Sequence, residues 1–236
     1  MARTLTTVAF DADDTLWDNE RYFQLTQSRL AELLAAYTDA SSLMSRLVEA
    51  ERRNLGHYGF GIKGFTLSMI ETAIEVTNGK VTGEEIQEIL AAGQDMLRHP
   101  VELLPGAREA VEAARKTHRI LLITKGDLLD QERKLAQSGL GDLFDAVEIV
   151  SDKTPQIYNT IFDRHGDGAE RGMMVGNSMK SDVLPMIAAG GWGVFVPHGL
   201  EWELEKAPPP QEPAKFASLN SPRELGQLVD RIDRRA

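Results

Sequence analysis

A chain of 236 residues, 42% apolar and 26% charged, can hold one large domain or a core with an insertion, and its composition excludes a disordered polymer. A formal charge of −10 with no local lysine/arginine cluster opposes the counterion release on which nucleic-acid binders depend, and without cysteine there are no disulfides, thiolate metal sites or cysteine nucleophiles. The opening MARTLTTVAF has too short an apolar run for a signal peptide, and no segment approaches membrane-spanning length, so a soluble cytoplasmic protein with no nucleic-acid or membrane partner is expected.

Residues 6–10 (TTVAF) form a β-rich run that ends in the acidic stretch Asp11, Asp13 and Asp14, which predicts a strand leading into a polar loop. From residue 19 to 98 the period is helical. Tyr22, Leu25, Leu30, Leu33, Leu34 and Tyr37 recur at three- and four-residue intervals, followed by Leu43 and Leu47 and later by Ile86, Ile89 and Leu90. Within this block Gly59-Phe60-Gly61-Ile62-Lys63-Gly64 matches GxGxxG. It follows a helix and not a strand, so the dinucleotide-binding context is missing; a glycine-rich connector or a substrate-contacting loop with Tyr58, Phe60 and Lys63 is expected instead.

After Pro100 and Pro105-Gly106 the pattern alternates between helices at 107–117, 128–138, 155–164 and 179–189 and strands at 119–123, 145–150, 172–175 and 192–196. Such alternation predicts right-handed βαβ units and a parallel sheet covered on both faces. Lys206 to Pro213 reads as a surface loop, Lys215 to Ala217 as an edge strand and Pro222 to Ile232 as a closing helix. The expected architecture is an α/β core of residues 1–18 and 99–236 with a helical insert over 19–98.

Ligands of an open parallel sheet bind beyond the carboxyl ends of its strands. Asp11, Asp13 and Thr15 follow the first strand; Thr124 and Lys125 follow RILLI; Lys153 follows DAVEIV; Asn177 and Asp182 follow GMMV. Crowded carboxylates repel unless a hard cation neutralises them, and oxygen ligands suit Mg²⁺. Cationic and hydroxyl groups suit the oxygens of a transferring phosphoryl group, and a carboxylate nucleophile with a second carboxyl nearby suits two-step hydrolysis. Asn177 and Asp182 would equally suit the capping of a helix beginning near Met179, and Asp14 the ordering of the turn. The five histidines show no ligand spacing.

FDADDTLWD resembles the DxDxT first motif of the haloacid dehalogenase superfamily, and Thr124, Lys153 and GNSMKSD resemble its second, third and fourth motifs in order. The resemblance spans the chain, because that family's Rossmann-like core accepts a helical cap between its first two motifs. It implies Asp11 as nucleophile, Asp13 as general acid/base and Thr124 and Lys153 as phosphoryl-oxygen binders. It also implies Mg²⁺ held by Asp11, the Asp13 carbonyl and the fourth-motif acid, a small phosphorylated metabolite as substrate, and a cap that sets specificity. Two positions depart from the pattern. Asn177 stands where the family usually has aspartate, which shifts metal binding toward Asp182, and Lys125 stands where asparagine is frequent, either touching phosphate or offsetting the acidic pocket. Two alternatives remain open: carbon–halogen hydrolysis, against which Asp13 argues because a halide leaving group needs no proton, and a catalytically weak binding module, to which Asn177 points.

Overall fold

The computed structural model describes residues 4–211 and 214–234; Glu212 and Pro213, the end of the expected surface loop, lie outside the described residues. Among the described residues, six strands form one parallel sheet: β1 (Thr7–Phe10), β2 (Arg119–Lys125), β3 (Ala146–Val150), β4 (Gly172–Gly176), β5 (Trp192–Phe195) and β6 (Phe216–Ser218). Their order is β3-β2-β1-β4-β5-β6, every neighbouring pair running parallel. Every residue of β1 and β4 is buried, which is why these strands read as unbroken apolar runs and not as alternation.

The two-residue period of the strands divides the core. Val8, Phe10, Ile120, Leu122, Met173 and Val175 pack with the apolar stripes of α5 (Ala107–Arg115) and α9 (Leu225–Asp233). Ala9, Leu121, Ile123 and Met174 pack on the opposite face with Tyr158, Ile161 and Phe162 of α7 (Pro155–His165) and Met186 of α8 (Leu184–Ala188). From β1 the chain steps outward through β2 to β3, then crosses back to β4 on the other side of β1. The strand order therefore reverses between β1 and β4, and the crevice beyond their carboxyl ends is the place where this topology binds ligands.

The helix expected over 179–189 is not one helix. Met179–Val183 winds as a π turn and α8 starts only at Leu184. The backbone carbonyl of Ser178 accepts from both Asp182 N–H (2.9 Å) and Val183 N–H (3.2 Å), which widens the turn by a residue. Pro185, which has no N–H to donate, sits in the first turn of α8, a position where none is required.

The chain divides into two compact units. One comprises the described residues within Met1–Asp18, Val101–Lys125 and Gln131–Ala236; the other comprises Asn19–Pro100 together with Gly126–Asp130. The second unit holds α1 (Glu20–Leu33), α2 (Ala40–Tyr58), α3 (Ile62–Val76) and α4 (Gly83–Met96), around a core that includes Leu30, Leu34, Leu43, Leu47, Phe65, Met69 and Ile89. Leu25, Tyr37 and Leu90, from the same periodic stripes, stay exposed. Local chemistry sets the helix ends. Asp39 accepts from Ser42 N–H at 2.9 Å at the start of α2, and Thr82 with Glu85 forms a reciprocal capping box at the start of α4.

The GxGxxG stretch is the break between α2 and α3. Gly61 has φ +121°, and a Cβ there would lie 2.7 Å from Asp127 Oδ2. That carboxylate takes the place of a local cap, accepting from Lys63 N–H at 3.1 Å and pairing with Lys63 Nζ at 3.0 Å. The glycine thus serves close approach of a distant carboxylate within the helical unit, and Lys63 is engaged there.

Candidate active site

Asp11 continues β1 by one hydrogen bond, its N–H donating to Val175 O of β4 at 2.9 Å, which delivers the side chain to the point where the strand order reverses. Its Oδ1 accepts from Lys153 Nζ and its Oδ2 lies 3.1 Å from Thr15 Oγ1. Lys153 Nζ also donates to Asp182 Oδ1 at 2.7 Å, so one ammonium serves two carboxylates. Asp182 is fully buried, and its Oδ2 accepts from Ser178 N–H at 2.9 Å. A Cβ on Gly176 would stand 2.1 Å from Asp182 Oδ2, so only glycine at the end of β4 lets the π turn fold this carboxylate inward.

Burial, reinforced by Asp182 and Asp13, pushes the Asp11 carboxyl up to about 7 against the opposing pull of Lys153. Burial would lower Lys153, but Asp11 and Asp182 more than offset it and hold the ammonium above its ordinary value. The pair is therefore short of positive charge: one lysine faces two carboxylates in a desolvated pocket.

Thr15 ties the first motif to the fourth. Its Oγ1 lies 3.1 Å from both Asp11 Oδ2 and Asn177 Oδ1, one hydroxyl proton between two acceptors, and it accepts from Asn177 N–H at 3.1 Å. The Asn177 amide oxygen thus faces the same spot as the Asp11 carboxylate. Asp11, Asn177 and Asp182 offer hard oxygen donors, a set that fits Mg²⁺. The upward displacement of Asp11 supports that fit, because a divalent cation beside a carboxylate of this kind returns it to the ionised form.

Thr124, 2% exposed at the end of β2, accepts from Gln131 Nε2 at 3.0 Å. Lys125 Nζ is bound to Ser181 Oγ (2.8 Å) and Glu205 Oε1 (2.7 Å). Glu205 Oε2 in turn accepts from Ser178 Oγ at 2.6 Å, and Ser178 Oγ accepts from Ser181 N–H at 2.9 Å. Burial opposes ionisation of Glu205, yet Lys125 and the two serine hydroxyls hold its carboxyl below the ordinary range. Lys125 is thus an ion-pair partner fastening the loop that carries Asn177 and Asp182.

Asp13 is gripped from several sides. Lys134 Nζ lies 2.7 and 2.8 Å from its two oxygens, Trp17 Nε1 donates to Oδ1 at 2.7 Å, and Gln131 Nε2 donates to Oδ2 at 2.9 Å. Asp14, which takes φ +59°, and Asp18 flank His198: Nε2 is 3.0 Å from Asp18 Oδ1 and Nδ1 is 3.4 Å from Asp14 Oδ1. One ligand atom from each of these three lies within 4.8 Å of the others, a group able to hold a cation.

A family model described as haloacid dehalogenase-like hydrolase matches residues 5–190. The chain belongs to that family. A glyceraldehyde 3-phosphate phosphatase of Methanothermobacter thermautotrophicus is 24% identical over 205 residues, covering 81% of this chain and 85% of that protein. A haloacid dehalogenase-like family hydrolase from Xanthomonas campestris superimposes with a TM-score of 0.88 at 40% identity, over 99% of this chain and 94% of that one. The HAD-hydrolase YfnB of Bacillus subtilis, bound to magnesium, shares the fold with a TM-score of 0.67 at 15% identity, over 96% of this chain and 99% of that one.

Within this haloacid dehalogenase-like core, Asp11, Thr15, Lys153, Asn177 and Asp182 form one hydrogen-bonded cluster. Asp13 and Thr124 join through the shared amide of Gln131. Lys63 belongs to the helical unit and pairs with Asp127. Sequence reasoning missed Trp17, Gln131, Lys134, Glu205 and His198. For Gln131 and Lys134 one signal was present: two polar side chains three apart on the inner face of an amphipathic helix, where apolar residues are the rule. No helix is long and apolar enough to cross a membrane among the described residues.

Proposed function

We propose that the chain is a Mg²⁺-dependent hydrolase of small phosphate monoesters that works in the cytoplasm through an aspartyl-phosphate intermediate on Asp11. The observation that carries this is the Asp11 carboxylate, buried at the β1/β4 switch point between Lys153 and Thr15 with a second carboxyl two residues on. The relative named as a phosphatase supports it.

In the first half-reaction an oxygen of Asp11 attacks phosphorus, the bond to the leaving oxygen breaks, and Asp13 gives that oxygen its proton. In the second, Asp13 takes a proton from water as the water oxygen attacks phosphorus, which frees Asp11 and inorganic phosphate. Lys153 pulls Asp11 toward the ionised form and, with the Thr124 hydroxyl, neutralises charge on the phosphoryl oxygens. Mg²⁺ held by Asp11, the Asp13 carbonyl, Asn177 and Asp182 would neutralise the charge between nucleophile and phosphoryl group. Lys125 acts through Glu205 on the fourth-motif loop and not on substrate. A leaving-group proton donor is what separates this chemistry from halide displacement, and Asp13 supplies it.

The test is phosphate release from an aryl phosphate with and without Mg²⁺, beside halide release from a 2-haloacid. Mg²⁺-dependent phosphate release that vanishes in Asp11→Asn is expected. Halide release, or turnover unchanged in Asp11→Asn, would refute the proposal. A panel of phosphorylated metabolites then identifies the leaving group.

A further inference from the structure

We propose that Lys134, together with Trp17 and Gln131, is a positioning residue that fixes the Asp13 carboxylate for proton transfer; this rests on Asp13 being the general acid/base as read above. The side chains of Lys134 and Asp13 are 9% and 22% exposed, so the pair sits largely out of solvent. Lys134 Nζ bridges both carboxylate oxygens, at 2.7 and 2.8 Å, while Trp17 holds Oδ1 and Gln131 holds Oδ2. Three donors acting on two oxygens specify the plane of the carboxylate as well as its place; when Asp13 carries the proton it passes on, one of these contacts gives way to that proton.

The donors come from two elements whose local folding aims them inward. Leu16 N–H donates to Ala12 O at 2.8 Å and Asp14 N–H to Trp17 O at 2.7 Å, and this doubled-back loop returns the buried indole to the aspartate four residues before it. Gln131 and Lys134 stand three apart on α6 (Leu128–Ser138), hence on one face of that helix. Gln131 is 2% exposed, and its Nε2 also lies 3.0 Å from Thr124 Oγ1 and 2.7 Å from Lys125 O, so its two N–H groups are shared among three acceptors. One amide therefore links the acid/base carboxyl to the phosphoryl-binding hydroxyl.

A purely structural role accounts poorly for this arrangement. A buried ion pair adds little net stability over a pair of apolar residues of the same volume, so stability alone does not explain the Lys134–Asp13 pair as a whole, although removing Lys134 by itself would leave the Asp13 charge uncompensated. General acid catalysis, in contrast, depends steeply on the placement of the donor, and small misplacements carry large rate costs.

The expected signature is a loss that depends on the leaving group. Aryl phosphates, whose leaving oxygens are weak bases, depart without much help; alkyl phosphates require the proton from Asp13. Lys134→Met should lower kcat/KM, which reports only the steps up to departure of the leaving group, about tenfold or more on an alkyl phosphate and less than about threefold on p-nitrophenyl phosphate, since acid/base assistance is worth about 10²–10⁴. Lys134→Arg, which keeps a two-pronged donor, should restore most of the alkyl-phosphate rate, and the thermal midpoint reports folding separately. Equal losses on both substrates, or no loss, would overturn the inference. Asp13→Asn, measured alongside, separates the two levels. If it shows no leaving-group selectivity, the general-acid reading fails; if it does and Lys134→Met does not, only the positioning role falls. Should Lys134→Met not fold, Trp17→Phe removes one donor and keeps the ring, and an unchanged alkyl-to-aryl ratio there overturns the inference.

Discussion

Replacing Lys153 with methionine would leave two carboxylates facing each other in the sheet unit with no cation between them. The side chains of Lys153, Asp11 and Asp182 are 2%, 10% and 1% exposed, so water cannot take the lysine's place. Removing one partner of a buried ion pair costs about 3–5 kcal/mol, because the other charge is left uncompensated. Asp11 already sits up to about 7 with the lysine present, so in the variant it takes up a proton and relieves part of the repulsion. The metal-free variant should therefore lose about 3 kcal/mol at pH 8, near the lower end of that range, and less at pH 6. Urea unfolding followed by tryptophan fluorescence measures this, since Trp17, Trp192 and Trp202 all lie in the sheet unit. A loss under about 1 kcal/mol at pH 8, the value of an exposed pair, or a loss independent of pH would refute the reasoning.

Gly176→Ala would drive a methyl group against the Asp182 carboxylate and should lower kcat about 10²-fold, with weaker Mg²⁺ binding by calorimetry. Glu205→Gln strips the counter-charge from Lys125; it should destabilise the protein by about 1–3 kcal/mol in thermal unfolding and raise the Mg²⁺ concentration at half-maximal activity. In metal-free protein, Asp11 has a raised carboxyl, so the folded state binds more protons than the unfolded one between about 4 and about 7. Its contribution is therefore complete below the lower bound and lost as the pH climbs to the upper one. Unfolding midpoints of EDTA-treated protein should fall across that window, and Asp11→Asn should flatten the fall.

The strands of the sheet centre were legible because burial on both faces leaves TVAF and GMMV as bare apolar runs, and the residues just past them follow from the topology alone. Asp11, Thr15, Lys153, Asn177 and Asp182 could be placed together on that ground. The turn at 179–183 could not, since Met179, Val183 and Met186 keep a helical period while the doubly accepting carbonyl of Ser178 and the missing N–H of Pro185 set the backbone. The clamp on Asp13 left one trace, two polar residues three apart on an otherwise apolar helix face, but its target was hidden because Gln131 and Lys134 meet it across 118 and 121 residues of chain. Lys125 stayed open between a phosphate contact and an offset to the acidic pocket, because its partner Glu205 comes from a short segment 80 residues away, next to a proline-rich stretch without pattern.

Reductive trapping tests the central claim most directly. Enzyme turning over an alkyl or aryl phosphate in the presence of Mg²⁺ is quenched with borohydride, which converts an aspartyl phosphate to homoserine, and the peptides are sequenced by mass spectrometry. Homoserine at position 11 that requires both substrate and metal is the predicted result. Phosphate release with residue 11 recovered as unmodified aspartate, or with homoserine at another carboxylate, would contradict the account.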